Sequence, residues 1–145
     1  MRYGGNTSCV EVRTDDGTVL VLDCGSGARE LGLSVLGDGA PPAGAPKAVL
    51  IGHTHWDHIN GFPFFTPAYA EDHAFDVRAG HLADVGGVER VLAGQMARPT
   101  FPVPLAALKA DVQFDDFRAG EEFDVGPARV KTTPLQHPDG ATGYR

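Results

Sequence analysis

No stretch of the sequence holds the roughly 18–20 consecutive apolar residues that a bilayer-spanning helix requires. The opening, MRYGGNTSC, lacks the apolar centre of a secretory signal, so nothing in it directs export and the cytoplasm is the expected compartment. Positive charge is scarce too: 12 Lys and Arg stand against 19 Asp and Glu, a formal charge of −7. An extended nucleic-acid surface needs clustered cations to displace counterions, so no such surface is expected. Cysteine is limited to Cys9 and Cys24, too few for a disulfide-built scaffold. Repeats and low-complexity tracts are missing as well.

What is present reads as one ordinary globular domain. The chain has 145 residues, 42% of them hydrophobic and 21% charged, enough to bury a core of its own. Residues 7–14, TSCVEVRT, alternate like a strand, and DDG supplies a turn. A two-residue turn at Asp16-Gly17 would set Cys9 opposite Cys24, where free thiols are expected in a reducing compartment. TVLVLDCGSG is apolar on both faces and predicts a central strand closed by glycines. SGARELGLSVLG has helical spacing at Ala28, Leu31 and Val35, with Ser26 as N-cap and Gly37 as terminator.

Residues 38–46 form a Gly/Pro-rich loop, and KAVLIG after it is another core strand. DHINGF begins a short helix that Pro63 and Pro67 break. HAFDVRAG predicts a strand, LADVGGVERVLAGQM a glycine-weakened helix, and residues 112–137 three short strands, with turns at Ala119-Gly120 and Gly126-Pro127, before GYR starts another strand. The order predicts a mixed α/β fold in a single domain over residues 1–145. Phe62 and Phe64 read as core, with a wall of a substrate pocket as the other reading, and Trp56 as packing. Asp115-Asp116 and Glu121-Glu122 read as solvated turn charges, and His73 and His81 as solvated or capping.

The segment VLIGHTHWDHINGF carries the chemistry. Side chains alternate along an extended segment, so His53 and His55 project to one side and can share a metal ion. Asp57 and His58, where the backbone turns into a helix, point elsewhere and can serve a second ion. His137 lies at a strand end, held extended by Pro138. Asp23 either caps the turn after its strand or orients a ligand.

HTHWDH matches the HxHxDH signature of the metallo-β-lactamase superfamily, and LVLDCGSG resembles that superfamily's strand ending in Asp and a Gly-rich turn. The flanks RYGGNTSCVEV and LQHPDGATGYR look most like its ribonuclease Z and cyclic-phosphodiesterase branch. The resemblance implies an αββα sandwich with a dinuclear centre, usually zinc (Zn2+), sometimes manganese or iron. His53, His55 and His137 would hold the first ion, Asp57 and His58 part of the second, and Asp23 would orient a ligand. Two cations would reverse the local charge and admit a small anionic substrate. A hydroxide on the ions would attack a phosphodiester, or the carbonyl of a lactone, thioester or β-lactam, with Asp57 orienting it and shuttling a proton.

The family's bridging Asp and last His, downstream of His137, have no counterpart before Arg145, and an edge strand is expected ahead of RYGGNTS. The sequence therefore corresponds to about the first half of the sandwich, truncated at both ends. An uncovered apolar sheet face is expected to be buried by self-association, as a homo-oligomer. A non-catalytic metal-binding or self-assembling fragment is the reading from another class.

Overall fold

The computed structural model describes residues 4–45 and 47–145. Arg2 and Tyr3 of the opening motif, and Pro46 at the end of the Gly/Pro-rich loop, lie outside the described residues. Strand β1 (Val10–Arg13) and strand β2 (Val19–Leu22) precede helix α1 (Gly27–Leu36), then β3 (Lys47–Ile51) and the one-turn α2 (Trp56–Ile59). Two 3-10 turns, Phe62–Phe64 and Thr66–Tyr69, lead to β4 (Ala74–Ala79), α3 (Gly87–Gln95), a 3-10 turn at Leu105–Ala107 and β5 (Asp111–Asp116). Strands β6 (Glu122–Val125), β7 (Ala128–Leu135) and β8 (Ala141–Tyr144) close the order.

Two sheets result. The first runs β1-β2-β3-β4-β5, with β1 antiparallel to β2 and the other neighbours parallel; the second is the antiparallel β6-β7-β8. The continuous apolar runs explain the centre of the first sheet: Ala48, Val49, Leu50 and Ile51 are all buried, as a strand covered on both faces must be. Odd-numbered residues Val19, Val21, Val49, Ile51, Phe75 and Val77 pack with Ala28 of α1, Val88 and Leu92 of α3, and Phe62. Even-numbered Leu20, Ala48 and Leu50 meet Val125 and Val130 of the second sheet. Helices, sheet and sheet are three of the four layers of an αββα sandwich. Arg129, Lys131 and Thr133 on the outer face of β7 are exposed, and no helix covers them among the described residues.

Several expectations need correction. The first hairpin closes through a three-residue loop: Thr14 N donates to Thr18 O at 3.1 Å, Gly17 N to Thr14 O at 2.9 Å, and Gly17 has φ +93. An odd loop shifts the register by one, so Val10 faces Leu22 and the ladder does not set Cys9 against Cys24. Both thiols are free. Ser26 makes no capping bond to α1; its Oγ accepts from Thr7 N at 2.9 Å instead. Helix α3 starts late because Gly86 and Gly87 both have positive φ, and the Asp116 carboxylate then accepts from Val88 N at 3.0 Å.

Asp115 and Asp116 thus belong to β5, and Glu122 to β6, not to turns. β5 pairs with β4 rather than with β6, which belongs to the other sheet, while β8 (Ala141–Tyr144) supplies the further strand expected at GYR. Phe62 is fully buried, whereas Phe64 is 53% exposed and Trp56 71%, so neither of these two is core. Among the described residues of the first sheet, Val10 and Val12 of β1 are exposed apolar side chains, at 53% and 41%. No described helix is long and apolar enough to cross a membrane.

Candidate metal centre

The site lies beyond the carboxyl ends of β2, β3 and β4, where parallel sheets commonly bind ligands. Asp23 follows β2, the His53–His58 segment follows β3, and His81 follows β4. Backbone bonds lock these ends together: Asp23 N to Leu50 O at 3.0 Å, Cys24 N to His58 O at 2.8 Å, and Gly61 N to Cys24 O at 2.9 Å. The packing at Gly61 admits no side chain, since a Cβ there would run into the carbonyl oxygen of Gly25.

His137 arrives from the other sheet. Thr142 N donates to Gly52 O at 2.7 Å and Tyr144 Oη to Ile51 O at 2.8 Å, which pins β8 to the end of β3. The β7–β8 turn is thereby carried over the histidines. His53, His55 and His137 then present ligand nitrogens that all lie within 4.8 Å of one another. Their ring centroids are 4.3–4.9 Å apart, and His137 Nε2 lies 3.1 Å from His55 Nδ1.

These residues fit a metal. Two lone pairs at 3.1 Å repel unless a proton or a cation lies between them, and ligand nitrogens around a tetrahedral zinc sit roughly 3.4 Å apart. Imidazole suits zinc, iron and other transition ions. Burial, then the imidazoles of His58, His137 and His55, push the His53 pKa down, so its lone pair is free at neutral pH.

Asp57 and His58 form a second group beside the first. The His58 and His53 rings are 3.9 Å apart, and His58 Nε2 is 3.4 Å from Asp57 Oδ2. Behind His58 stands Asp23, at φ +61. Its Oδ2 accepts from His58 Nδ1 at 2.7 Å and from Ser8 Oγ at 3.0 Å, and its Oδ1 accepts from Gly52 N at 2.8 Å. With Nδ1 carrying the proton, His58 offers Nε2 to whatever Asp57 also faces.

Three neighbours escape a reading by motif. Ser8 reaches Asp23, and the only hint is its place in the NTS opening. His81 is half-buried: among the described residues its buried Nδ1 has no partner, its Nε2 lies 3.4 Å from Thr54 Oγ1, and burial pushes its pKa down to about 4. Asp139, with Oδ2 3.5 Å from His55 Nε2, is signalled only by an acidic residue in a Pro-led turn.

Residues 2–144 match the family described as the Metallo-beta-lactamase superfamily. The chain belongs to the metallo-β-lactamase superfamily. No curated protein matches it. Among solved structures, the metallo-beta-lactamase fold protein YhfI from Bacillus subtilis is similar with TM-score 0.63 and 22% identity, over 98% of this chain and 51% of that one. Zn(2+)-bound PqqB from Methylobacterium extorquens gives 0.58 and 19%, over 97% and 46%. The metallo-beta-lactamase SMB-1, solved with mercaptoacetic acid, gives 0.62 and 19%, over 97% and 51%. Likeness at these identities is likeness of fold. The chain spans about half the length of these superfamily structures.

Proposed function

We propose that this chain serves a metal-dependent hydrolase acting on phosphodiesters, with zinc as the leading ion and manganese or iron as alternatives. The observation that carries the reading is the convergence of His53, His55 and His137 beside the exposed carboxylate of Asp57. The phosphodiester preference rests on the flanks RYGGNTSCVEV and LQHPDGATGYR, which resemble the phosphodiesterase branch. A divalent cation held by the three imidazoles would supply Lewis acidity and bring a water's pKa near ~7.

The chain's own groups do the rest. Asp57, its side chain 60% exposed, orients the attacking water and takes its proton. Asp23 fixes the His58 ring, and neutral His53 presents a lone pair. Among the described residues a second ion finds only Asp57 and His58, so its binding is weak. Metal analysis returning two tightly held ions per chain would overturn that statement.

A second reading is hydrolysis of a lactone, thioester or β-lactam. It is favoured by the fold likeness to SMB-1 and to MEM-A1, described as a subclass B3 metallo-beta-lactamase from a soil metagenome library. Bis-(p-nitrophenyl) phosphate, cyclic nucleotides, a lactone and nitrocefin, assayed side by side, separate the two. Turnover of the phosphodiesters alone supports the leading reading, and turnover of nitrocefin or the lactone alone replaces it. His53→Ala tests whether the site is catalytic at all: turnover should vanish while the fold persists. Loss of stability in its place would mark a structural metal site. Association of copies over Val10 and Val12 belongs to the same proposal, and light scattering showing a stable monomer counts against it.

A further inference from the structure

The carboxylate of Asp139 stands beside the outer nitrogen of His55. Residues 137–140 form a reverse turn, in which Gly140 N donates to His137 O at 3.0 Å. Pro138 holds the second position and Asp139 the third, with φ +64. A positive φ at the third position after proline belongs to a type II turn, whose usual occupant there is Gly or Asn. An acidic residue bears a backbone cost at that position, and such costs persist where the side chain has a task.

The structure points to His55 as that task. Asp139 Oδ2 lies at an ion-pair distance of 3.5 Å from His55 Nε2, while His55 Nδ1 faces His137 Nε2 at 3.1 Å. A neutral imidazole ligates through the nitrogen without the proton. If Nδ1 is the ligand, the proton must stay on Nε2, where the carboxylate attracts it.

We propose that Asp139 is a positioning residue for the metal site: its carboxylate keeps the His55 proton on Nε2 and so keeps the Nδ1 lone pair aimed at the ion shared with His53 and His137. This rests on the reading of those three histidines as metal ligands. Partners of this kind contribute roughly 10–100-fold to metal affinity. The Asp139 side chain is 91% exposed, so solvent screening places its effect near the lower end, about tenfold.

The alternative is a plain turn residue, and Asp139→Gly separates the two. Glycine suits a positive φ better, so the metal-free variant should melt at the same temperature or higher. Zn2+ affinity, measured by competition with a chromophoric chelator on the whole chain, should nevertheless fall about tenfold. Asp139→Asn tolerates the same φ and removes only the charge, so it should lose affinity several-fold without a change in melting. Zn2+ affinity within twofold of the unaltered chain in both variants overturns the proposal. A parallel fall in metal-free stability and affinity in both also overturns it, because the turn alone would then explain the loss. If the unaltered chain binds no Zn2+, the histidine reading itself is wrong, and that result is distinct from the other two.

Discussion

Removing the Asp23 carboxylate breaks a junction that the site and the fold share. Its side chain is 14% exposed and accepts from Gly52 N, His58 Nδ1 and Ser8 Oγ at 2.8, 2.7 and 3.0 Å. A hydrogen bond to a charged group contributes about 1.5–3 kcal/mol, and a buried donor left without a partner costs a further part of its desolvation. The Ser8 hydroxyl can turn to water, so two bonds dominate, and shared partners make the losses less than additive. Asp23→Ala should therefore cost about 3–5 kcal/mol. That is a large fraction of the roughly 5–15 kcal/mol that holds a domain together. It corresponds to a fall in melting temperature of about 10–15 °C for a chain of this length.

Asp23→Asn keeps an oxygen for Gly52 N but turns an NH2 toward His58 Nδ1, which must then accept. The proton moves to Nε2, which takes that nitrogen's lone pair away from the Asp57 side, at a stability cost of only about 1–2 kcal/mol. Urea unfolding followed by far-UV circular dichroism measures both variants; Trp56, 71% exposed, would report the transition poorly. An Asp23→Ala loss below about 1 kcal/mol with an unchanged m value would show that these bonds do not hold the junction.

The two neighbouring phenylalanines should separate cleanly. Phe62→Ala, at 0% exposure, should cost about 3–5 kcal/mol, and Phe64→Ala, at 53% exposure and edge-on to Phe101 at 5.6 Å, under about 1 kcal/mol; equal losses in chemical denaturation would contradict the burial. Gly61→Ala puts a methyl into the Gly25 carbonyl, with Gly25 C at 2.6 Å and Cys24 O at 3.0 Å, all backbone atoms that cannot step aside. Loss of soluble expression or more than about 4 kcal/mol is expected, and a near-wild-type melting curve would count against it. Burial pushes the His81 pKa down to about 4 in the folded chain, from an ordinary 6.5. Above pH 6.5 both states are neutral and nothing changes. As pH falls from 6.5 to 4 the unfolded chain takes the proton first, and stability declines by roughly 1–2 kcal/mol once screening of the half-buried ring is allowed for. His81→Gln should flatten that part of the pH–stability curve, and an unchanged slope would refute the assignment.

Features set within one element were legible in the sequence. Alternation in an extended segment puts His53 and His55 on one side, and HTHWDH names the superfamily. Unbroken apolar runs identify β2 and β3 as central, because a strand buried on both faces has no polar side to show. Helix α1 follows from its spacing, and its end at Gly37 from the terminator.

What depends on separate elements meeting was not legible. One extra residue in the first hairpin loop changed its register, and no local propensity signals that β5 joins β4 rather than β6. Phe62 and Phe64 have the same side chain in the same local sequence, yet one faces the α1–sheet core and the other faces solvent. His55 and His137 lie 82 positions apart and become neighbours only because Thr142 N and Tyr144 Oη pin β8 to the end of β3. The roles of Ser8, His81 and Asp139 arise from the same convergence. Sequence alone determined the type of donor and the direction each takes from its own backbone. The tertiary hydrogen bonds decided which donors share a point in space, because that distance is set by how two sheets pack and not by anything local to either.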